Sequence, residues 1–279
     1  MGGPAERKVD FLNKILPLIQ PGDVINFDST TEWYNLHIHL AYKAIRCHQR
    51  QMFGNLSRWR DVHSMLYLDE DQVFTVEPPR ARFVQLEELY QDTITLWRYT
   101  KREFADADLE VMADAAAELE GTVYDVGQLL DIAINHIMGY PHTIHYRIFD
   151  FSKYCKVCSV GVRVCYEALR KHLEQQGAEP PMKRLFSSFK YDTWLESDIV
   201  MNSNTELRGV DVEATSPAHF ANSEWFDDEF EMVAQFDRGQ QVYPPPPQPA
   251  GQQPEAGAAE ADHGHGDHED HDAGHGAGH

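Results

Sequence analysis

Cys158 is the residue best placed to do chemistry. It lies in Tyr154-Cys155-Lys156-Val157-Cys158-Ser159-Val160-Gly161, at the start of a predicted helix over 157–175. Val162, Cys165, Leu169 and either His172 or Leu173 share one face of that helix. A helix start carries partial positive charge and free N–H groups, and both favour thiolate over thiol. A nucleophile also needs a base. The chain has fifteen histidines. Among those before the C-terminal segment, His63 opens the strand-like run Val62 to Leu68, and Glu77 closes the next, Gln72 to Glu77. Asp69-Glu70-Asp71 between them predicts a hairpin, which returns Glu77 to the neighbourhood of His63. A carboxylate there can orient an imidazole and favour its charged form. Taken singly, each has a plainer reading: a small buried thiol, a solvated histidine, a strand-end glutamate. The weight lies in their order and context.

These residues need elements to hold them. Val9, Leu12, Ile15 and Leu16 predict a short helix over 7–19, ended by Gln20-Pro21-Gly22. Asp23 to Phe27 reads as a strand. Residues 32–53 read as a helical insert, and Thr93 to Tyr99 as a further strand. Residues 106–120 and 125–138 are predicted helices. The stretch Glu224 to Phe236 is ambiguous between helix and strand. Strands come first and helices later, an α+β order.

The whole chain bounds the functions available. It has 279 residues, 42% of them hydrophobic, and a net charge of −21. A core can be buried, and binding to nucleic acid is not expected, because a phosphate backbone requires a basic face. No membrane span, secretory signal or myristoylation site is read. Four cysteines, three of them crowded at 155, 158 and 165, do not make a disulfide framework. A cytoplasmic, reducing location is expected. The composition changes near Tyr243, where Pro244 to Pro247 begin a segment with seven acids and no Lys or Arg. Residues 1–243 are therefore read as one domain, and 244–279 as a Pro-rich spacer and a disordered tail.

At this level the chain resembles the permuted papain-like amidases and peptidases, the NlpC-type superfamily with its lecithin retinol acyltransferase-like relatives. The resemblance runs from about 20 to 236. Its carriers are Gly22-Asp23-Val24-Ile25-Asn26-Phe27, Val62-His63-Ser64-Met65-Leu66-Tyr67-Leu68, Val73-Phe74-Thr75-Val76-Glu77, Gly121-Thr122-Val123-Tyr124-Asp125, Cys158-Ser159-Val160-Gly161-Val162 and Thr215-Ser216-Pro217-Ala218-His219-Phe220. It implies an antiparallel sheet packed on helices in circularly permuted order. It also implies a cysteine hydrolase with Cys158 as nucleophile, His63 as base and Glu77 as orienting residue. The substrate implied is an amide, of peptide or peptidoglycan type, or an ester, with no cofactor required. Departures are Val62 where the family has Ser, Val160-Gly161 where it has Glu-Leu, and the insert with His37, His39 and His48. The alternative is the same fold used as a non-catalytic binding or structural module.

Other readings compete for the same residues. Cys155-x-x-Cys158 with Cys165 and Cys47 offers thiolates for zinc, although a structural site ordinarily uses two such knuckles. A thioredoxin-type redox pair needs a strand before the motif, and Lys153-Tyr154 is a poor one. His37-Ile38-His39 offers alternating imidazoles. Tyr124 can donate to an oxyanion, while Asp125 beside it has the character of a helix cap. In the tail, His263, His265, His268, His271, His275 and His279 alternate with carboxylates. That composition suits incidental binding of a divalent metal, and the tail can also serve as a protein-interaction segment.

Overall fold

The computed structural model describes residues 3–28, 42–43, 45–47, 49–50, 53, 60–69, 71–138, 155–179, 181–187 and 210–244. The chain divides into two units, Met1–Pro246 and Pro247–His279, and every described residue lies in the first. The tail histidines, His37, His39 and His48 fall outside the described residues. Of the predicted insert 32–53, the residues described are 42–43, 45–47, 49–50 and 53, and they are helical.

The architecture is α+β. Besides the helical residues between 42 and 53, the α-helices are α1 (Pro4–Ile15), α2 (Asp106–Leu119), α3 (Val126–Ile137), α4 (Cys158–Gln175) and α5 (Pro217–Ala221). The strands are β1 (Val24–Asp28), β2 (His63–Asp69), β3 (Gln72–Glu77), β4 (Arg80–Gln85), β5 (Thr93–Tyr99), β6 (Val123–Tyr124), β7 (Cys155–Lys156), β8 (Phe230–Asp237) and β9 (Gln240–Tyr243). They form one sheet in the order β7-β6-β4-β3-β2-β1-β5-β8-β9. Every pairing is antiparallel except β6 with β7.

The middle of the sheet is covered on both faces, which is why β2 and β3 are buried almost throughout instead of alternating. Val24, Leu66, Leu68, Phe74 and Val76 share one core with Val160, Val162, Cys165 and Leu169 of α4 and Met112 of α2. Ile25, Met65, Tyr67, Val73, Ile94 and Leu96 share the other with Phe11 and Ile15 of α1. α1 starts at Pro4, whose missing N–H costs nothing in a first turn, and ends before Pro17, which cannot continue the ladder. Its buried side carries Phe11 and Ile15, while Val9 and Leu16 are exposed. Of the residues predicted from periodicity, Ile15 and the partly buried Leu12 face the core, and Val9 and Leu16 do not. Phe11 packs edge-on against Phe236, ring centres 5.7 Å apart.

Two glycines of the motif segments are required by packing. Gly22 has φ +92, and a Cβ there would meet the Phe104 ring at 2.7 Å. The turn it makes delivers Asp23 into the interior, where its carboxylate takes Arg98 at 2.7 and 2.9 Å and the Gln20 N–H at 2.8 Å. Gly161 lies where α4 crosses β3, and a Cβ there would stand 2.5 Å from Val76 Cγ2. The close approach presses the first turn of α4 onto the sheet.

Gly161→Ala is therefore expected to destabilise the protein by about 1–3 kcal/mol, as overpacking does. Val76→Ala in the same chain should recover part of that loss. Urea unfolding of the single and double variants measures it. Additive costs would mean that Val76 is not what the new methyl meets.

Candidate functional site

The site forms where the first turn of α4 meets the start of β2. Val157 precedes the helix in extended conformation, and no side chain caps it. The N-terminal N–H groups thus remain available to Cys158 and its surroundings. β7, just upstream, pairs with β6 through Val123↔Cys155 and Tyr124↔Lys156, and the Asp125 N–H donates to Lys156 O at 3.0 Å. That short parallel bridge fixes the approach to Cys158 and brings Tyr124 to its side.

Cys158 and His63 are 2% and 3% exposed, and each acts on the other's titration as a charged neighbour and hydrogen-bond partner. Burial pushes the thiol pKa up. The His63 charge, its hydrogen bond, and the backbone N–H groups of Ser64 and Ser159 on the sulfur outweigh burial, and the net direction is down. The partner moves the opposite way. Burial pushes the imidazole down, but the charge and hydrogen bond of Cys158, with smaller help from Glu77 and Asp92, leave it raised. Each group thus favours the charged form of the other, the sulfur toward thiolate and the ring toward imidazolium.

His63 Nε2 lies 2.6 Å from Thr75 Oγ1, which leaves Nδ1 for the sulfur. When the ring is charged both nitrogens donate, and the Thr75 hydroxyl accepts the second proton. The Phe27 ring stands edge-on to the imidazole at 5.9 Å and limits its rotation. Glu77 does not hold the ring. Its carboxylate is taken by Arg82, with Nε 2.8 Å from Oε1 and Nη2 also bonded, and its side chain is 31% exposed. The expected orienting contact of Glu77 is corrected in this respect: it acts on His63 through charge alone. The cause is local. The β2–β3 pairing ends at Met65↔Thr75, and beyond it β4 offers Glu77 a cation. Sequence reasoning missed Thr75 because a threonine inside a strand reads as a strand former.

Tyr124 is buried, and its hydroxyl pKa is raised well above 10 by burial, by the charge of Cys158 and by Tyr42. It is a neutral phenol beside the sulfur. Asp125 has a capping function: its Oδ1 accepts the Gln128 N–H at 2.8 Å. The segment Thr215–Ala218 packs against the same region, with Ser159 Oγ donating to Thr215 O at 2.7 Å. Arg163, fully buried, donates to Leu185 O at 2.5 Å and to Thr215 Oγ1 at 3.3 Å, stacks on Phe186 and bonds Glu167. Burial brings its pKa down to about 10.

The other thiols differ from Cys158. Cys165 is wholly buried and pushed up to about 12 by that burial, and Cys47 is exposed. Among the described residues no three His, Cys, Asp or Glu side chains converge as a metal group, and no helix is long and apolar enough to cross a membrane.

Neither a family model nor a curated protein matches the chain. Among solved structures, it is similar to the metalloprotein yiiX from Escherichia coli O157:H7. The identity is 15%, the match covers 79% of this chain and 99% of that one, and the TM-score is 0.39.

Thr75→Val removes the acceptor of the second imidazole proton, so it should raise the pH at which Cys158 becomes a thiolate. Glu77→Gln should raise it less, because that charge acts from a distance and is shared with Arg82. The pH dependence of Cys158 alkylation by iodoacetamide compares the two. A larger effect of Glu77→Gln would return the orienting role to the glutamate.

Proposed function

We propose that the chain is a cysteine hydrolase of permuted papain-like architecture. It cleaves an amide bond of peptide or peptidoglycan type, or an ester. The observation that supports the reading is the placement of buried Cys158 at the uncapped start of α4, beside a buried His63 whose far nitrogen is held by Thr75, an arrangement that favours the thiolate. A buried cysteine with only a packing role has no need of that. Cys165, seven residues along the same helix, behaves in the ordinary way.

In this mechanism the Cys158 thiolate attacks the carbonyl carbon, and the carbonyl oxygen becomes an oxyanion. The backbone N–H of Cys158, free at the helix start, and the Tyr124 phenol O–H are the donors for it. The His63 imidazolium then gives its proton to the departing amine or alcohol, and the C–N or C–O bond breaks to leave an acyl-thioester. Water attacks the thioester, and neutral His63 takes its proton. The acid leaves, and the thiolate–imidazolium pair is restored. Thr75 holds the ring through both proton transfers. No cofactor takes part.

Cys158→Ser and His63→Ala should each lower turnover of amide substrates by about a thousandfold or more, with the fold retained. A panel of acyl-peptide and acyl-ester substrates, with circular dichroism as the control, makes the measurement. Wild-type rates in both variants would contradict the mechanism. Mass spectrometry after mild iodoacetamide treatment gives an answer without a known substrate. Cys158 should label ahead of Cys47, Cys155 and Cys165, and no preference for Cys158 would favour the non-catalytic module.

A further inference from the structure

The two N–H groups on the Cys158 sulfur come from elements far apart in the chain. Ser64 belongs to β2 and Ser159 to α4. Neither serine hydroxyl has its described partner in the sulfur. Ser64 Oγ donates to Asn26 Oδ1 at 2.7 Å, and Ser159 Oγ donates to Thr215 O at 2.7 Å. Asn26 sits opposite Ser64 in the β1–β2 register. Its Nδ2 donates to Pro217 O at 2.9 Å and to Asp61 Oδ2 at 3.2 Å. The segment Thr215–Ala218 is therefore gripped by both serines, directly at Thr215 and through Asn26 at Pro217. A third tie comes from Gln49, which accepts the Ala218 N–H at 2.8 Å and donates to Asp61 O at 2.6 Å. Asn26, Gln49, Ser64, Ser159 and Thr215 are all buried, so water does not compete for these bonds.

We propose that Asn26 is a positioning residue for the Cys158 nucleophile. Its amide joins Ser64 of β2 to the Pro217 carbonyl, and so closes a bracket that holds one N–H from the sheet and one from the helix on the same sulfur. The proposal rests on the reading of Cys158 as a nucleophile. Asn26 touches neither substrate nor sulfur. It acts through Ser64 on one side and through Pro217, Thr215 and Ser159 on the other. An amide is the side chain that fits, because it must accept from a hydroxyl and donate to a carbonyl and a carboxylate at once. The charged and titratable groups around the sulfur are His63 on β2 and Tyr124 on β6, with Glu77 and Asp92 acting on His63. Asp61 faces Asn26 itself.

The test uses the full chain and no substrate. The rate of Cys158 alkylation by iodoacetamide is followed against pH in the wild type, Asn26→Ala and Ser64→Ala, with melting temperature recorded for each. Asn26→Ala should raise the midpoint for thiolate formation by about half a unit to one unit, the scale of a weakened hydrogen bond to a charge. Ser64→Ala removes only the first link of the bracket and should shift it the same way by less. If Asn26→Ala fails to fold, Ser64→Ala alone decides. A folded variant that melts lower but keeps the wild-type midpoint would show that Asn26 serves stability only, and would overturn the proposal. The failure of the nucleophile reading looks different: a wild-type midpoint near the ordinary thiol value of about 8.5 would remove both.

Discussion

A negative sulfur and a positive imidazole can share a dry pocket only if each neutralises the other and the remaining lone pairs and protons are met. The arrangement around Cys158 follows from that constraint. The sulfur takes the imidazole and two backbone N–H groups, and the imidazole takes the sulfur and the Thr75 hydroxyl. If one contact is removed, burial favours the neutral thiol and neutral ring. The surrounding fold supplies rigidity. α4 lies close on β3 because Gly161 has no side chain, and β2 is clamped between β1 and β3. The segment 215–218 bridges sheet and helix.

The same constraint separates two cysteines that the heptad spacing makes look alike. Cys158 and Cys165 lie on one buried face of α4. Cys158 is in the first turn, where N–H groups lack helical partners and a histidine reaches it from β2. Cys165 is two turns further in, where those groups are already bonded within the helix and its neighbours are apolar. Position within the helix, more than burial, decides which sulfur is favoured as a thiolate.

How much of this was legible in the sequence depended on how local the cause was. The strands Val62–Leu68, Gln72–Glu77 and Thr93–Tyr99 could be read from short hydrophobic runs, and the start of α4 from its periodicity. β4, Arg80–Gln85, was missed because Pro78-Pro79 and two arginines disguise it. Yet β4 supplies the Arg82 that occupies Glu77. The pairing of Cys158 with His63 was reached through the order of motifs. The holding residues were not: Thr75 and Asn26 look like ordinary strand residues until register and tertiary contact place them. Their partners, His63 across the β2–β3 hairpin for Thr75, and Ser64 on the neighbouring strand β2 and Pro217 near the end of the domain for Asn26, are set by the assembled sheet and not by neighbours in sequence.

The central claim is that His63 carries a proton because Cys158 has given one up. Nitrogen-15 NMR of the histidine side chains over a pH series measures this directly, with Cys158→Ser as the comparison. In the wild type the His63 ring should remain an imidazolium above the ordinary histidine midpoint of about 6.5. In Cys158→Ser the negative partner is gone and burial outweighs the smaller help of Glu77 and Asp92, so the midpoint should fall below that value. A His63 ring that is neutral at pH 7 in the wild type, with a midpoint indifferent to the loss of the sulfur, would contradict the account.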